Sequence, residues 1–327
     1  MSSRIYNITV TLFWLATMAW LVVSKVVPAL RKGDPPNHHE AAVVKLTDTA
    51  PVIWDMKWDL NHIGWAANKV AAMPDGRFEV LSRIQFTEWP DSGLQSLSLL
   101  LPLADLAGQG DGFHLRISNR SLLDADMQLQ QLDSALSLND PSEKIPWMRI
   151  TGNVESQQLK LAFRLRDRNL GSKTIPIRPR SLVSNEISPR GFMPRLRLHQ
   201  QWTTYQISPL RPPTSPQLPV VARVERYESM IWDNRVVETF LVVYRKDAGA
   251  GSQAADEYLG RMWVRPDNGM VLRQEMVVLG SHLNFIRRTP EAAKPLADML
   301  ERHWAASYDD WVGADELERK LESPAGP

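Results

Sequence analysis

The sequence predicts a mainly β protein, with an N-terminal transmembrane helix, a large antiparallel curved sheet of half-barrel character and a short helical C-terminal tail. Three observations support this prediction. No side chain from Ile5 to Ser24 carries a formal charge. From residue 52 onward, apolar and polar residues alternate with period two in about ten short runs, which is the pattern of half-buried strands. Helical spacing returns only after Pro290, so no helices separate the strands, which are expected to pair antiparallel.

Residues 1–32 are predicted to anchor the chain in a membrane. The run from Ile8 to Val23 is almost wholly apolar, and a helix of about 20 residues spans about 30 Å, the thickness of a bilayer's hydrocarbon core. A cleaved signal peptide is the alternative, but its apolar centre has only about 7–15 residues. The best small-x-small cleavage site, Thr17–Met18–Ala19, lies inside the run. We therefore expect an uncleaved single-pass anchor, followed by a polar spacer over residues 33–51.

Composition excludes several classes of function. Lys and Arg number 38 against 37 Asp and Glu, so the bulk charge favours neither nucleic acid nor an acidic partner. The chain has no cysteine, which excludes disulfides, thiol catalysis and zinc-thiolate or iron–sulfur centres. Twelve Trp against six Tyr and eight Phe supply large rings, which fill a wide core or line a groove.

Residues 52–289 are predicted to form one antiparallel β domain. Trp54, Met56, Trp58 and Leu60 alternate with polar residues, and the pattern resumes at Phe78 after a Pro74–Asp75–Gly76 turn, which predicts a hairpin. Residues 122–138 suit either a helix or a strand. Further strands are predicted at Phe113–Ile117, Leu159–Leu165, Leu196–Leu198, Val220–Tyr227 and Val236–Tyr244, with a second hairpin over Arg261–Glu275.

Two local features complete the predicted organisation. Gly64, between Ile63 and Trp65, suits a bend or bulge that helps a sheet to curl. Residues 290–327 are predicted to be a helical tail, with one helix over 291–303 and a second, shorter one over Asp315–Leu321.

The segment Trp263–Glu275 (Trp-Val-Arg-Pro-Asp-Asn-Gly-Met-Val-Leu-Arg-Gln-Glu) resembles the late hairpin of the lipoprotein-localisation-factor superfamily. This superfamily comprises the LolA/LolB-like proteins and their membrane-anchored envelope relatives. In it, a strand that opens with Trp meets an Asp-rich turn and leaves through a Leu-Arg strand. Upstream, Ser188–Pro189, Leu196–Trp202 and Ile207–Leu210 are similar to a linker and strand of those relatives.

The resemblance covers residues 52–290 and implies an open half-barrel with helices over its concave face. In the characterised members, the apolar concavity carries lipid or acyl chains. The envelope location of these relatives implies a single-pass protein of the inner membrane, with its soluble domain on the periplasmic or extracytoplasmic side. Flanking charge slightly favours a cytoplasmic domain, but long domains translocate largely regardless of charge. The chain lacks a lipobox cysteine, so a transmembrane helix is expected to replace the lipid tether.

Aromatic side chains form the first set of candidate ligand contacts. Large rings from one predicted hairpin are expected to line an apolar groove, and ordinary core packing is the alternative. The set consists of Trp54, Trp58, Trp65, Phe78, Phe86 and Trp89.

Arginine rows form the second set. Arg164 and Arg166, with Arg168, project from one predicted strand, and Arg195 and Arg197, with His199, project from another. If the two strands were adjacent, these side chains would form a cationic plate, because guanidinium forks suit phosphate or carboxylate groups. The alternative is a solvent-exposed face of the sheet, on which acidic neighbours offset the positive charge of the arginines.

No catalytic or metal-binding pattern stands out. His38–His39–Glu40 has no third ligand nearby, and the Gly-x-Ser-x-Gly pattern of hydrolases is absent. Gly108 and Gly110 lie in a predicted loop with no helix after it, which is the wrong context for a phosphate-binding loop. We therefore expect no metal and no cofactor.

Together with the resemblance, these features predict a non-enzymatic, membrane-tethered envelope protein that binds a lipid-like or apolar ligand in the concavity of its sheet. The expected partners are the membrane, through the N-terminal helix, and a lipid or acyl ligand, but no nucleic acid. The alternative is a scaffold or accessory subunit of a membrane complex, without a ligand cavity. The two predictions differ in whether the interior of the sheet is a void or a packed core.

Overall fold

The computed structural model describes residues 3–21, 50–88, 115–138, 146–177, 188–207, 217–246, 258–278 and 281–304. Within these ranges the chain forms two helices and one open, curved sheet of 14 antiparallel strands. The prediction of a mainly β chain built on one large antiparallel sheet is confirmed.

The helices are α1 (Ser3–Leu21) and α2 (residues 290–304). The strands are β1 (Val52–Trp58), β2 (Asn61–Ala72), β3 (Phe78–Phe86), β4 (Leu115–Leu123), β5 (Leu129–Leu138), β6 (Met148–Glu155), β7 (Gln158–Leu165), β8 (Arg168–Pro176), β9 (Gln201–Ile207), β10 (Gln217–Trp232), β11 (Arg235–Lys246), β12 (Tyr258–Val264), β13 (Val271–Val278) and β14 (Ser281–Arg287).

Strands that are neighbours in the sheet are also neighbours in sequence, except at the centre. The order is β8-β7-β6-β5-β4-β3-β2-β1-β14-β13-β12-β11-β10-β9, so β8 and β9 are the edges. At the centre, β1 pairs with β14, with Trp54 opposite Arg287 and Met56 opposite Phe285. The rest of the sheet is a meander, in which consecutive strands pair antiparallel.

More strands form than the alternation alone predicts. Two-residue turns at 59–60 and 166–167 separate pairs of strands without any Gly or Pro. Asp59 (φ 53°) and Arg166 (φ 47°) adopt the left-handed conformation there, as tight hairpin turns require. Residues 122–138 form the end of β4, a turn and β5, so the strand alternative is correct for them. Residues 195–200 are not a strand, and β9 begins only at Gln201.

One face of the sheet, here called the inner face, bears Trp54, Met56 and Trp58. Its side chains form the main core cluster, with contributions from β1–β5 and β9–β14. Trp54, Met56 and Phe285 are fully buried. Complete burial across so many strands is expected where a sheet curls around its own side chains, so the inner face is the concave one.

Gly64 marks a bulge between β1 and β2. The strand register shifts between Met56 and Lys57, so that Met56 lies opposite Gly64 while Lys57 lies opposite His62. The φ of Gly64 is 149°, which side chains rarely adopt. The predicted bulge at this glycine is confirmed, and bulges increase the local twist and bend of a strand.

The opposite face, here called the outer face, bears Ile53 and Ala67 and is covered in part by α2. Ala293, Ala297 and Leu300 of this helix pack on those two residues. The resemblance implied helices over the concave face, whereas α2 lies on the other face. The physical reason is that Ile53 and Ala67 leave a smooth apolar patch beside β1, and the alanines of α2 allow a close approach.

A segment without regular structure, residues 188–194, lies across the inner face. Pro189 O accepts a hydrogen bond from Asn68 Nδ2 at 2.5 Å, and Gly191 O accepts one from Arg287 Nη1 at 3.0 Å. Gly269 permits this approach, because a Cβ atom there would lie 2.7 Å from Pro194 Cα.

None of the helices in the described ranges combines the length and the hydropathy needed to cross a membrane. The predicted transmembrane helix is therefore not supported by α1. Residues 22–49, with the end of the predicted anchor and most of the spacer, lie outside the described residues, as does the second predicted tail helix at Asp315–Leu321. The first tail helix, predicted over 291–303, forms as α2.

Candidate ligand-binding face

The structure divides the predicted aromatic set between the two faces. Trp54, Trp58 and Phe86 join one buried cluster on the inner face. Phe78 is also buried and lies at the other end of β3 from Phe86. Trp65 instead packs on the outer face with Ile53, Ala67 and α2. Trp89 lies outside the described residues.

The bulge at Gly64 explains the position of Trp65. In a regular strand, residues 63 and 65 would share a face, because side chains alternate with period two. Ile63 belongs to the inner cluster, whereas Trp65 belongs to the outer one. The extra residue at the bulge therefore moves Trp65 to the opposite face.

A row of four polar residues crosses the inner face among the apolar side chains. Asn68, Ser82, Asn119 and Ser134 are successive cross-strand partners on β2, β3, β4 and β5. Asn68, Ser82 and Asn119 are only 8%, 6% and 6% exposed. Asn119 Nδ2 donates a hydrogen bond to Ser82 Oγ at 3.2 Å. We call these four residues the polar row.

Several buried polar atoms of the inner face have no hydrogen-bond partner. They are Asn68 Oδ1, Asn119 Oδ1 and Ser134 Oγ in the row, and the indole Nε1 atoms of Trp54 and Trp58. An unsatisfied buried donor or acceptor costs about 1–3 kcal/mol. Natural proteins keep few such atoms, and those that they keep commonly bind water or a ligand. The inner face thus presents both acceptors and donors in an apolar setting.

The predicted arginine rows do not lie on neighbouring strands. Arg164 lies on β7 and Arg166 in the β7–β8 turn, with Arg168 at the start of β8. Arg195, Arg197 and His199 lie in the irregular segment before β9. The sheet neighbours of β7 are β6 and β8, so strand pairing does not bring the two rows together into one plate.

The outer face carries a charged network that the sequence patterns do not predict. Glu275 on β13 is buried and accepts a hydrogen bond from Tyr258 OH at 3.0 Å. Arg273 Nη2 lies 3.1 Å from Glu275 Oε2, and His282 Nδ1 lies 3.3 Å from Glu275 Oε1. Arg261 also pairs with Glu275 at 3.4 Å. Because the carboxylate is already paired with cations, we interpret the network as a clamp across β12, β13 and β14.

The described residues contain no group of three or more His, Cys, Asp or Glu side chains that would hold a metal ion. The weak metal candidate His38–His39–Glu40 lies outside these residues. Gly108 and Gly110 also lie outside them.

Comparison with known proteins finds structural likeness at low sequence identity. The chain is similar to the crystal structure of a beta-barrel-like protein of a domain of unknown function, DUF1849, from Brucella abortus. The TM-score is 0.41 at 9% sequence identity, and the match covers 72% of this chain and 94% of the other. No protein-family model matches the chain, and no curated protein is significantly similar to it.

Proposed function

We propose that this protein is a non-enzymatic binding protein that holds an amphipathic, lipid-like ligand on the inner face of its sheet. The polar group of the ligand contacts the polar row and the indole N–H of Trp54, which lies opposite Ala66 and is a diagonal neighbour of Asn68. Its apolar part lies against the aromatic cluster. The observation that supports this proposal is the set of buried, unpartnered polar atoms on an otherwise apolar concave face.

The ligand reaches this face by displacing part of the segment 188–194. This segment lies over the polar row, since Pro189 O accepts a hydrogen bond from Asn68. Phe192 lies beside Arg287, whose guanidinium carbon is 5.2 Å from the Phe192 ring centre and 5.9 Å from that of Trp54. An isolated bridge between Phe192 and Met270 holds the segment, with hydrogen bonds from Met193 N–H to Gly269 O and from Val271 N–H to Gly191 O. Displacement therefore breaks this bridge but no continuous strand ladder.

A matched pair of tryptophan variants tests the placement of the ligand. Trp54→Phe keeps an aromatic ring but removes the unpartnered indole N–H, whereas Trp65→Phe makes the same change on the outer face. Native mass spectrometry of the full chain is expected to show a stoichiometric lipid-mass adduct. We expect its occupancy to fall about fivefold in Trp54→Phe, the value of one hydrogen bond, and to be unchanged in Trp65→Phe.

Equal retention in both variants would contradict a ligand on the inner face. Asn119→Leu provides a second measurement, because it replaces an amide whose Oδ1 has no partner with an apolar group of similar size. It is expected to lose the adduct while the stability of the ligand-free protein changes by less than about 1 kcal/mol, since removal of the unpartnered Oδ1 offsets the lost hydrogen bond to Ser82. A loss of both adduct and stability would show that Asn119 is only a structural residue.

We also propose that α1 attaches the chain to a membrane, which would bring the ligand-binding face close to its source. Leu12, Phe13, Trp14 and Trp20 are each more than half exposed, at 56–74%. Apolar side chains of this size bury themselves in the interfacial region of a bilayer. In a flotation assay with phospholipid vesicles, the full chain is expected to float. The triple variant Phe13→Ser, Trp14→Ser, Trp20→Ser is expected to remain at the bottom, and equal flotation of both chains would contradict this proposal.

A scaffold or accessory subunit is the second candidate function. Ile231 and Val236, cross-strand partners at the tip of the β10–β11 hairpin, are both 76% exposed. Beside them is an open cleft of about 450 Å³ lined by Trp232, Arg235 and Pro266 among others. Folded protein without any adduct would favour this candidate, and crosslinking from the hairpin tip in the intact membrane would then identify the partner.

A further inference from the structure

We propose that Arg83, Arg116 and His303 form an anion-binding site on the outer face, which takes a phosphate, sulfate or carboxylate group. This site lies on the opposite side of the sheet from the polar row. It does not depend on the ligand proposed for the inner face.

The sheet and α2 bring these three side chains together. Arg83 on β3 lies opposite Ser118 on β4, and Arg116 is two residues from Ser118 along the same strand. The two arginines are therefore diagonal neighbours on one face. On its other side, Arg83 lies opposite Ala67, which packs against α2. His303 is in the last turn of that helix.

Arg83 is a buried cation whose charge no described residue neutralises. Its side chain is 9% exposed, and its Nε atom has no hydrogen-bond partner. Within the described ranges, neither Arg83 nor Arg116 has a carboxylate within ion-pair distance. Other cations of the same face are paired, and these pairs are Arg120 with Glu79, Arg149 with Asp133 and Lys69 with Glu301.

The charges of the site act on one another. Burial and the positive charge of Arg116 lower the pKa of Arg83 to about 10. Burial and the charges of Arg83 and Arg116 lower the pKa of His303. A bound anion would relieve this repulsion and supply the missing acceptor for the guanidinium groups.

The chemistry of the site selects an oxyanion. Two guanidinium groups offer planar forks of N–H donors, which match the oxygens of phosphate, sulfate or a carboxylate. Arg116 is half-buried and His303 is exposed, so an anion can reach Arg83 from solvent. Phosphate would come either from free inorganic phosphate or from a lipid headgroup, since α1 is proposed to hold the chain at a membrane.

Calorimetric titration of the full chain with inorganic phosphate, at constant ionic strength, tests the proposal. Arg83→Gln and Arg116→Gln are each expected to weaken binding about tenfold, the usual value of a charge-assisted pair. Arg223→Gln is the matched control, because Arg223 is an exposed arginine of β10. It is expected to leave binding unchanged. Absence of phosphate binding, or an equal loss in Arg223→Gln, would overturn the proposal.

The Arg83→Gln variant also separates a binding role from a structural one. If the cation is kept for a ligand, its removal should raise the melting temperature in anion-free buffer, because an uncompensated buried charge is lost. A lower melting temperature in both Arg83→Gln and Arg116→Gln would show that the arginines are structural.

Two further experiments identify the source of the bound anion and the pH dependence of its binding. Vesicles of an anionic phospholipid, compared with zwitterionic ones, distinguish a headgroup from free phosphate, with Arg116→Gln as the reference.

Sulfate does not titrate between pH 5 and 8, so the pH dependence of its affinity reports the titration of the protein alone. Protonation of His303 adds a third positive charge, so sulfate should bind more tightly as pH falls. Arginine side chains keep their charge in this range, and Glu301 is paired with Lys69. His303→Gln should abolish this dependence, and its persistence would exclude His303 from the site.

Discussion

Replacement of Gly64 with alanine is expected to destabilise the protein by more than about 3 kcal/mol, the largest effect of any conservative change considered for this fold. An added Cβ atom would lie 1.9 Å from the carbonyl oxygen of Gln85 on the next strand, and the φ of 149° is unfavourable for a side chain. Either the bulge would be lost or the β2–β3 ladder would open. Because the bulge sets which face each later residue of β2 occupies, Trp65 would be displaced too.

Urea unfolding of the full chain, followed by circular dichroism, measures this effect. Gly76→Ala is the matched control, since Gly76 also has positive φ (82°) but nothing lies within 4 Å of an added Cβ. It is expected to cost only about 1 kcal/mol, the price of the backbone conformation alone. Similar losses in the two variants would show that close approach to Gln85 does not matter.

The second large effect is expected from Glu275→Ala, which should destabilise the protein by about 2–3 kcal/mol. The substitution removes the buried carboxylate that pairs with Arg261 and Arg273, whose side chains are 32% and 37% exposed. It also leaves Tyr258 OH without its carboxylate acceptor. These donors would lose a charged acceptor in a partly desolvated network, and a hydrogen bond to a charged group contributes about 1.5–3 kcal/mol.

The control for this prediction is an ion pair on the surface. Glu155 and Lys160 are 61% and 56% exposed and pair across a tight turn. Glu155→Ala is expected to change stability by less than about 0.5 kcal/mol, because solvent screens the pair. If Glu275→Ala were equally mild, the network on β12–β14 would not be the clamp described above, and a functional role for Tyr258 and His282 would deserve a test.

The hairpins of this protein could be predicted because their information is local. Residues that favour tight turns indicate the positions of the turns at Pro74–Asp75–Gly76 and Pro266–Gly269. Alternation then marks the flanking strands, as in β3 and β13. The turns at 59–60 and 166–167 contain neither Gly nor Pro, and a single Asp in each does not distinguish a turn from the polar face of a strand.

The candidate sites were predicted only in part, because a site needs contacts between distant segments. Trp54 and Trp58 follow the alternation of β1 and lie on the inner face as expected. The polar row was missed, since Asn68, Ser82, Asn119 and Ser134 are unremarkable within their own strands. They become a row only through the register of four strands. Arg83 is likewise an ordinary polar position in the alternating pattern of β3, and only the packing of α2 on the outer face distinguishes it.

The sequence by itself determined that the chain alternates apolar and polar residues, and therefore that it forms an antiparallel sheet with a helix after it. A period-two pattern states which residues of a strand share a face, because side chains alternate along an extended backbone. Only the tertiary structure decided what covers each face, that β1 closes on β14, and which polar groups are buried without partners. These three features depend on packing between residues that are far apart in sequence, and no local sequence pattern specifies such packing.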